Sequence, residues 1–263
     1  MESNQSTPKT VTIRILRYKP NRIDPPRYQD FCLQVEPEMS VLDALEKIRL
    51  EQDNTLMYRH SCHHSSCGTC ACRINGEEKL TCITRVADME EDIITLTPLA
   101  GFKTIGDLVV DVTRFYKDYS EDWGYIRRSE GIKSTQPPAG IDHFTRFENC
   151  IECGACVSAC PVTHNNDAFL GPAALSALNN ELKKSPQDSE DLLSIAGGQR
   201  GEQLCKRAVN CSRVCPTKVY PARHIADLRR LLKEKNLKKT ANDIGSDQAN
   251  RLIIRGKVLK REP

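Results

Sequence analysis

Twelve of the thirteen cysteines in this 263-residue chain fall into three short runs, and their spacing constrains the fold more tightly than any hydrophobic pattern. RHSCHHSSCGTCACRINGEEKLTC (59–82) holds Cys62, Cys67, Cys70, Cys72 and Cys82; CIECGACVSACP (150–161) holds Cys150, Cys153, Cys156 and Cys160; LCKRAVNCSRVCP (204–216) holds Cys205, Cys211 and Cys215. A cysteine share of about 5% lies below the roughly 8–10% of small secreted disulfide scaffolds. The number is odd and the chain long. Where thiols stay reduced, clustered cysteines serve metals rather than disulfides.

The second run, Cys150-x2-Cys153-x2-Cys156-x3-Cys160-Pro161, has the bacterial ferredoxin spacing. There three cysteines hold one cubane cluster and the fourth, before proline, reaches to another. The third run, Cys205-x5-Cys211-x3-Cys215-Pro216, is its partner with one ligand missing, because Ala208 stands where Cys153 stands in the second. Crossing over gives Cys150, Cys153, Cys156 and Cys215 to a 4Fe-4S cluster and leaves Cys160, Cys205 and Cys211 for a 3Fe-4S cluster. A 4Fe-4S cluster with water or another ligand at that corner is the alternative. Cys62-x4-Cys67-x2-Cys70-x11-Cys82 matches the plant-type ferredoxin opening with a distal fourth cysteine, a 2Fe-2S arrangement. Zinc prefers paired short knuckles. A Rieske centre would need a second histidine where Arg85 stands, so His63 and His64 are expected as exposed loop residues or hydrogen-bond donors. Cys72 and Cys32 are left as buried structural thiols.

Around these runs the pattern is α+β. Val11, Ile13 and Ile15, then Phe31, Leu33 and Val35, alternate as strands across a turn-rich KPNRIDPPRYQ. Ser40 is placed to cap a helix whose apolar face is Val41, Ala44, Leu45 and Ile48. KLTCIT and EDIITLTPL read as returning strands, the order of a β-grasp sheet. DLVVDVTRFYKDY (107–119) has helical spacing, SEGIKSTQPPAGID (129–142) reads as a loop, and a polar helical stretch separates the second and third cysteine runs. Alternation returns only in RLIIRGKVL (251–259). The expected organisation is a plant-type 2Fe-2S β-grasp domain over 1–105, an all-α bacterial-type two-cluster domain over 106–240, and a charge-rich extension over 241–263, a candidate strap for a membrane anchor or a neighbouring complex.

A net charge of +3 without a concentrated basic patch argues against nucleic acid. No apolar run approaches the roughly 18 residues of a membrane span. MESNQSTPKT resembles neither a signal nor a transit peptide, which points to a prokaryotic cytoplasmic setting, with a mature organellar protein as the alternative. GGQRG is too short for a dinucleotide fingerprint, and no general acid or base stands out.

A plant-type domain followed by a two-cluster domain resembles the iron-sulfur subunits of succinate dehydrogenases and fumarate reductases. RHSCHHSSCGTC is similar to the family's RxSCxxxxCGxC, DLVVDVTRFYKDY to its inter-domain helix, DAFLGPAAL to its KYLGPAxL segment, and 205–232 to its C-terminal pattern. The resemblance implies electrons passing from the FAD of a partner flavoprotein through 2Fe-2S, 4Fe-4S and 3Fe-4S clusters to a quinone, menaquinone or ubiquinone. It also implies one or more anchor subunits, some haem-bearing, at the cytoplasmic face of the inner membrane. Asn165 and Lys206 depart from the family's tryptophan and histidine near the quinone, so Pro161, His164, Asn165 and Lys206 are the candidates for a remodelled quinone site. A fumarate reductase working in reverse or with a non-quinone partner, and a zinc-stabilised interaction module, are the alternative readings.

Overall fold

The computed structural model describes residues 9–118, 149–184 and 189–244. The loop expected at 129–142 and the alternation at 251–259 lie outside the described residues.

Strands β1 (Lys9–Lys19), β2 (Ile23–Val35), β3 (Ala71–Ile74), β4 (Glu77–Leu80) and β5 (Ile93–Thr97) form one sheet in the order β2-β1-β5-β3-β4. The β1–β5 pair is parallel and the others are antiparallel. Helix α1 (Val41–Glu51) covers the inner face, where Val11, Ile13, Ile15, Phe31, Leu33 and Val35 meet Val41, Ala44, Leu45 and Ile48. The start of α1 is fixed by a reciprocal cap: Asp43 N donates to Ser40 Oγ at 3.1 Å and Ser40 N to Asp43 Oδ2 at 2.9 Å.

Three local expectations need correction. The turn-rich segment after Lys19 becomes strand from Ile23, prolines included, because β2 is the edge strand of the sheet among the described residues and Pro25 and Pro26 fall at the register shift of its ladder with β1. Cys32 is exposed rather than core. Side chains alternate along a strand, and burial of Phe31 and Leu33 sends Cys32 outward, opposite Thr12. DLVVDVTRFYKDY is mostly not helix: β6 (Lys103–Gly106) and β7 (Val109–Asp111) make a hairpin, and only Thr113–Tyr116 (α2) turns helical. The hairpin wins because Asp107 at its turn accepts the amides of Tyr18 and Met57, each at 2.9 Å, and faces the buried Arg17 at 3.1 Å. Leu108 then completes the N-terminal core.

From residue 149 onward the described backbone is helical or irregular. Helices α3 (Ala155–Ser158), α4 (Pro161–Asn165), α5 (Gly171–Lys184), α6 (Ser189–Gly197), α7 (Asn210–Arg213) and α8 (Pro221–Ile244) follow in order. Leu175, Leu178, Leu192, Ala196, Ile225 and Leu228 join α5, α6 and α8. The stretch expected as a polar helix is α5, and it is buried along most of its length. Asn179 Nδ2 is hydrogen-bonded to His224 Nδ1 at 3.0 Å, both residues wholly buried, which satisfies one end of its amide, while Asn179 Oδ1 has no partner among the described residues.

The two halves share a core: Cys70, Ala71, Leu80, Leu99 and Phe102 pack with Phe115, Val157 and Ala173. Ser158 Oγ, fully buried, accepts from Ala100 N and donates to Glu78 Oε1, each at 2.8 Å. Arg114 on α2 adds bonds to the carbonyls of Gly101 and Thr163.

Candidate iron-sulfur centres

The loop between α1 and β3 carries the first run. His63, Ser65 and Gly68 all take positive φ (62°, 62° and 68°), and this winding turns consecutive amides inward. The amides of His64, Ser66 and Cys67 reach Cys62 Sγ at 3.5, 3.3 and 3.4 Å. They draw the Cys62 thiol down to about 7, the His64 amide contributing most. The side chains of His63 and His64 are exposed. Cys82 does not sit in a strand as expected: β4 stops at Leu80, and a 3₁₀ turn over Thr81–Ile83 swings Cys82 toward Cys70. Burial, then Cys70, pushes the Cys82 thiol up to about 11.

These four thiols form two pairs, Cys62 with Cys67 and Cys82 with Cys70. Among the described residues no three cysteine sulfurs lie within 4.8 Å of one another. A single zinc ion with bonds near 2.3 Å would need sulfurs about 3.8 Å apart. Two irons with two thiolates each fit the observed pairing. Arg59 Nε is a buried donor without an acceptor among the described residues, and its guanidinium lies beside Cys70, as suits an anionic cluster there. Cys70 precedes β3 and packs in the shared core, whereas Cys72, inside the strand, points into the N-terminal core, 2% exposed among Val11, Ile74 and Leu96, and burial pushes its thiol well up.

The second group gathers Cys150, Cys153 and Cys156 with Cys215, and all four line one apolar hollow closed by Phe115, Ala173 and Val219. Burial raises Cys150 to about 12 and Cys153 to about 11, and Cys156 well above its ordinary value. Such thiols give up their protons only to a strong Lewis acid. The amides of Glu152 and Ala155 serve Cys150 and Cys153, and Val219 N reaches Cys215 Sγ at 3.3 Å.

The third group repeats the second in backbone as well as spacing. Glu152 and Gly154 have φ of 53° and 79° on either side of Cys153; Arg207 and Val209 have 57° and 63° on either side of Ala208. Each winding leads into a four-residue helix, α3 or α7. Left-handed φ is costly for β-branched Val209, so the loop is held to this shape by its surroundings. Ala208 occupies the place of Cys153. Cys160, Cys205 and Cys211 share a cavity of about 1130 Å³ with Ala208, and burial, followed by Cys160 and Cys205, raises Cys211 to about 12. Pro161 and Lys206 also line this cavity. His164 and Asn165 do not: His164 Nε2 is 2.5 Å from Ser158 O, and Asn165 Nδ2 donates to Pro161 O at 3.1 Å.

Residues 12–117 match the model of a 2Fe-2S iron-sulfur cluster binding domain, and residues 146–219 that of a 4Fe-4S dicluster domain. The fumarate reductase iron-sulfur subunit of Mycobacterium tuberculosis is 33% identical over 81% of this chain and 88% of its own length. The chain belongs to the iron-sulfur subunits of succinate dehydrogenase and fumarate reductase. Within that family, the fumarate reductase iron-sulfur subunit of Wolinella succinogenes is 31% identical over 84% of this chain and 97% of its own. The mitochondrial succinate dehydrogenase [ubiquinone] iron-sulfur subunit of Candida glabrata is 31% identical over 86% and 93%. A chain of the Mycobacterium smegmatis Sdh1 complex in the apo form shares the fold, with a TM-score of 0.72, 22% identity, and coverage of 87% of this chain and 98% of that one. As an iron-sulfur subunit of this family the protein has an electron-transfer role, on an N-terminal 2Fe-2S sheet domain followed by a helical dicluster domain. The zinc-stabilised module is not favoured.

The join between the halves escaped sequence reasoning. Gly68 stands out in the sequence as a neighbour of Cys67, but only the fold shows that it meets Cys153.

Proposed function

We propose that the three thiol groups hold 2Fe-2S, 4Fe-4S and 3Fe-4S clusters in that order. Cys62 and Cys67 would serve one iron of the first, with Cys70 and Cys82 on the other; Cys150, Cys153, Cys156 and Cys215 would hold the second, and Cys160, Cys205 and Cys211 the third. One observation carries the order: the groups lie in series, each near enough to the next for their thiols to interact electrostatically. Cys153 feels Cys70 of the first, and Cys156 feels Cys211 of the third. When bound, the clusters supply one-electron carriers between the FAD of a partner flavoprotein and a membrane quinone.

The chain's own residues hold and insulate. Amides wound around Cys62, Cys150, Cys153 and Cys215 stabilise negative sulfur. Phe102, Phe115 and Val157 keep water from the join between the first two groups. Ala208 withholds a fourth thiolate from the third.

The cavity beside the third group, with Pro161 and Lys206 on its wall and Arg207, Arg229 and Lys233 around it, is the proposed quinone end. No helix among the described residues is long and apolar enough to cross a membrane. The reading therefore includes anchor subunits, haem-bearing in some forms, with the chain peripheral on the cytoplasmic face of a prokaryotic inner membrane. The proposed division is 1–105 and 106–240, with β7 and α2 as the seam and 241–263 as an extension. Electron paramagnetic resonance of the assembled complex tests this reading. A 3Fe-4S signal when oxidised and a 2Fe-2S signal on adding succinate are expected; an active complex without a succinate-dependent signal would overturn it.

A further inference from the structure

Glu46, His60 and His63 converge on a point outside the three cysteine groups. Glu46 stands on the flank of α1, clear of the buried stripe Val41, Ala44, Leu45 and Ile48. His60 and His63 come from the loop that carries Cys62. The left-handed φ of 62° at His63 folds that residue back, so the two imidazoles stand edge to face at 88° with centroids 5.3 Å apart. His60 Nδ1 is 3.2 Å from His63 Nε2, and Glu46 Oε1 is 3.6 Å from the first and 3.5 Å from the second.

Those lengths decide what can sit there. Four ligands at zinc's usual 2.0–2.1 Å define a tetrahedron with edges of about 3.3 Å, which matches all three separations. Two imidazole nitrogens and one carboxylate oxygen suit zinc or its borderline neighbours, whereas calcium and magnesium take oxygen shells. The three side chains are 33–42% exposed, so an ion can enter and water can take the fourth place. Tyr58 lies against His60 with centroids 5.3 Å apart, and Arg49 sits 5.9 Å from the Tyr58 ring centroid; together they limit how far the imidazole can turn away.

We propose that Glu46, His60 and His63 form a surface site for a divalent transition-metal ion of the zinc type, which ties the loop carrying Cys62 to α1. The site uses none of the cluster cysteines and does not rest on the electron-transfer reading.

The test is calorimetric titration of the iron-loaded full chain with zinc chloride under anaerobic conditions, with iron and sulfide measured before and after. One zinc per chain is expected, with iron retained, and zinc X-ray absorption should show nitrogen and oxygen near 2.0 Å without a sulfur shell near 2.3 Å. His60→Gln, which lies farther from Cys62, and Glu46→Gln should each weaken binding about tenfold or more while keeping full iron content. His63→Gln should do the same. Absence of zinc uptake, a sulfur-dominated shell, equal affinity in His60→Gln, or equal competition by magnesium would each overturn the site.

Discussion

Gly68 and Cys153 touch: a Cβ on Gly68 would stand 2.8 Å from the Cys153 Cβ and 2.4 Å from the Ile151 carbonyl oxygen. The loop of the first thiol group and the backbone of the second are thus in contact with no side chain between them. Close approach keeps electron transfer between the two groups short, and only glycine permits it at a φ of +68°.

Gly68→Ala should therefore damage both groups at once. The left-handed backbone alone costs a non-glycine residue about 1–2 kcal/mol, and the collision is with backbone, which cannot swing aside. We expect a lower denaturation midpoint and loss of iron from the first two sites, measured by iron content and by the reduced 2Fe-2S resonance. A variant with full iron and unchanged midpoint would contradict the close contact.

Cys70→Ser and Cys72→Ser should separate cleanly although the residues are two apart. Cys72 faces the apolar core, so its serine variant buries a hydroxyl at a cost of about 1–3 kcal/mol and keeps the 2Fe-2S signal. Cys70 faces Cys82, so its variant perturbs or loses that signal. The readout is the reduced spectrum beside a denaturation curve.

Ala208→Cys supplies the thiolate that the third group lacks, on a backbone that already matches that around Cys153. The oxidised 3Fe-4S resonance should fall sharply and iron should rise toward one further atom per chain. Retention of the full 3Fe-4S signal would mean that Ala208 does not face the third site.

Asp53 gives a pH signature. Burial alone would push its carboxyl up, but hydrogen bonds from Arg17 and Thr55 outweigh this and hold it at about 2. A depressed acid stabilises the fold above its unfolded value, about 3.9, and loses that contribution as pH falls through the folded value. Asp53→Asn should cost about 2 kcal/mol at neutral pH. The gap from the parent chain, read as cluster bleaching in denaturant, should stay level down to about pH 4 and narrow below it.

The 2Fe-2S domain and the dicluster domain after it were legible in the sequence because cysteine spacing is a local property of the chain. Ala208 could be matched to Cys153 by counting alone, and the left-handed residues on both sides of each agree with the count. Ser40 was legible for the same reason, since a capping box spans four residues. What sequence hid depends on distant partners. Leu108, Val112 and Phe115 recur at a helix-like interval, yet the hairpin forms because Tyr18 and Met57, far upstream, capture Asp107. Cys32 was legible in principle, since it alternates with the inward-facing Phe31 and Leu33, and a cysteine's usual preference for the interior yields there to strand parity. Buried α5 looked polar because the pairing of Asn179 with His224 bridges 45 positions.

Ser158 ties Glu78 to Ala100 beneath a shared apolar floor. This bears on how such chains can be recombined: a piece ending at residue 105 would carry a bare patch at Leu99 and Phe102 and a carboxylate stripped of its hydroxyl. Modules that look interchangeable by their cysteine counts are in this protein complementary surfaces, so any exchange of one half must bring its matching face or leave an adhesive fragment.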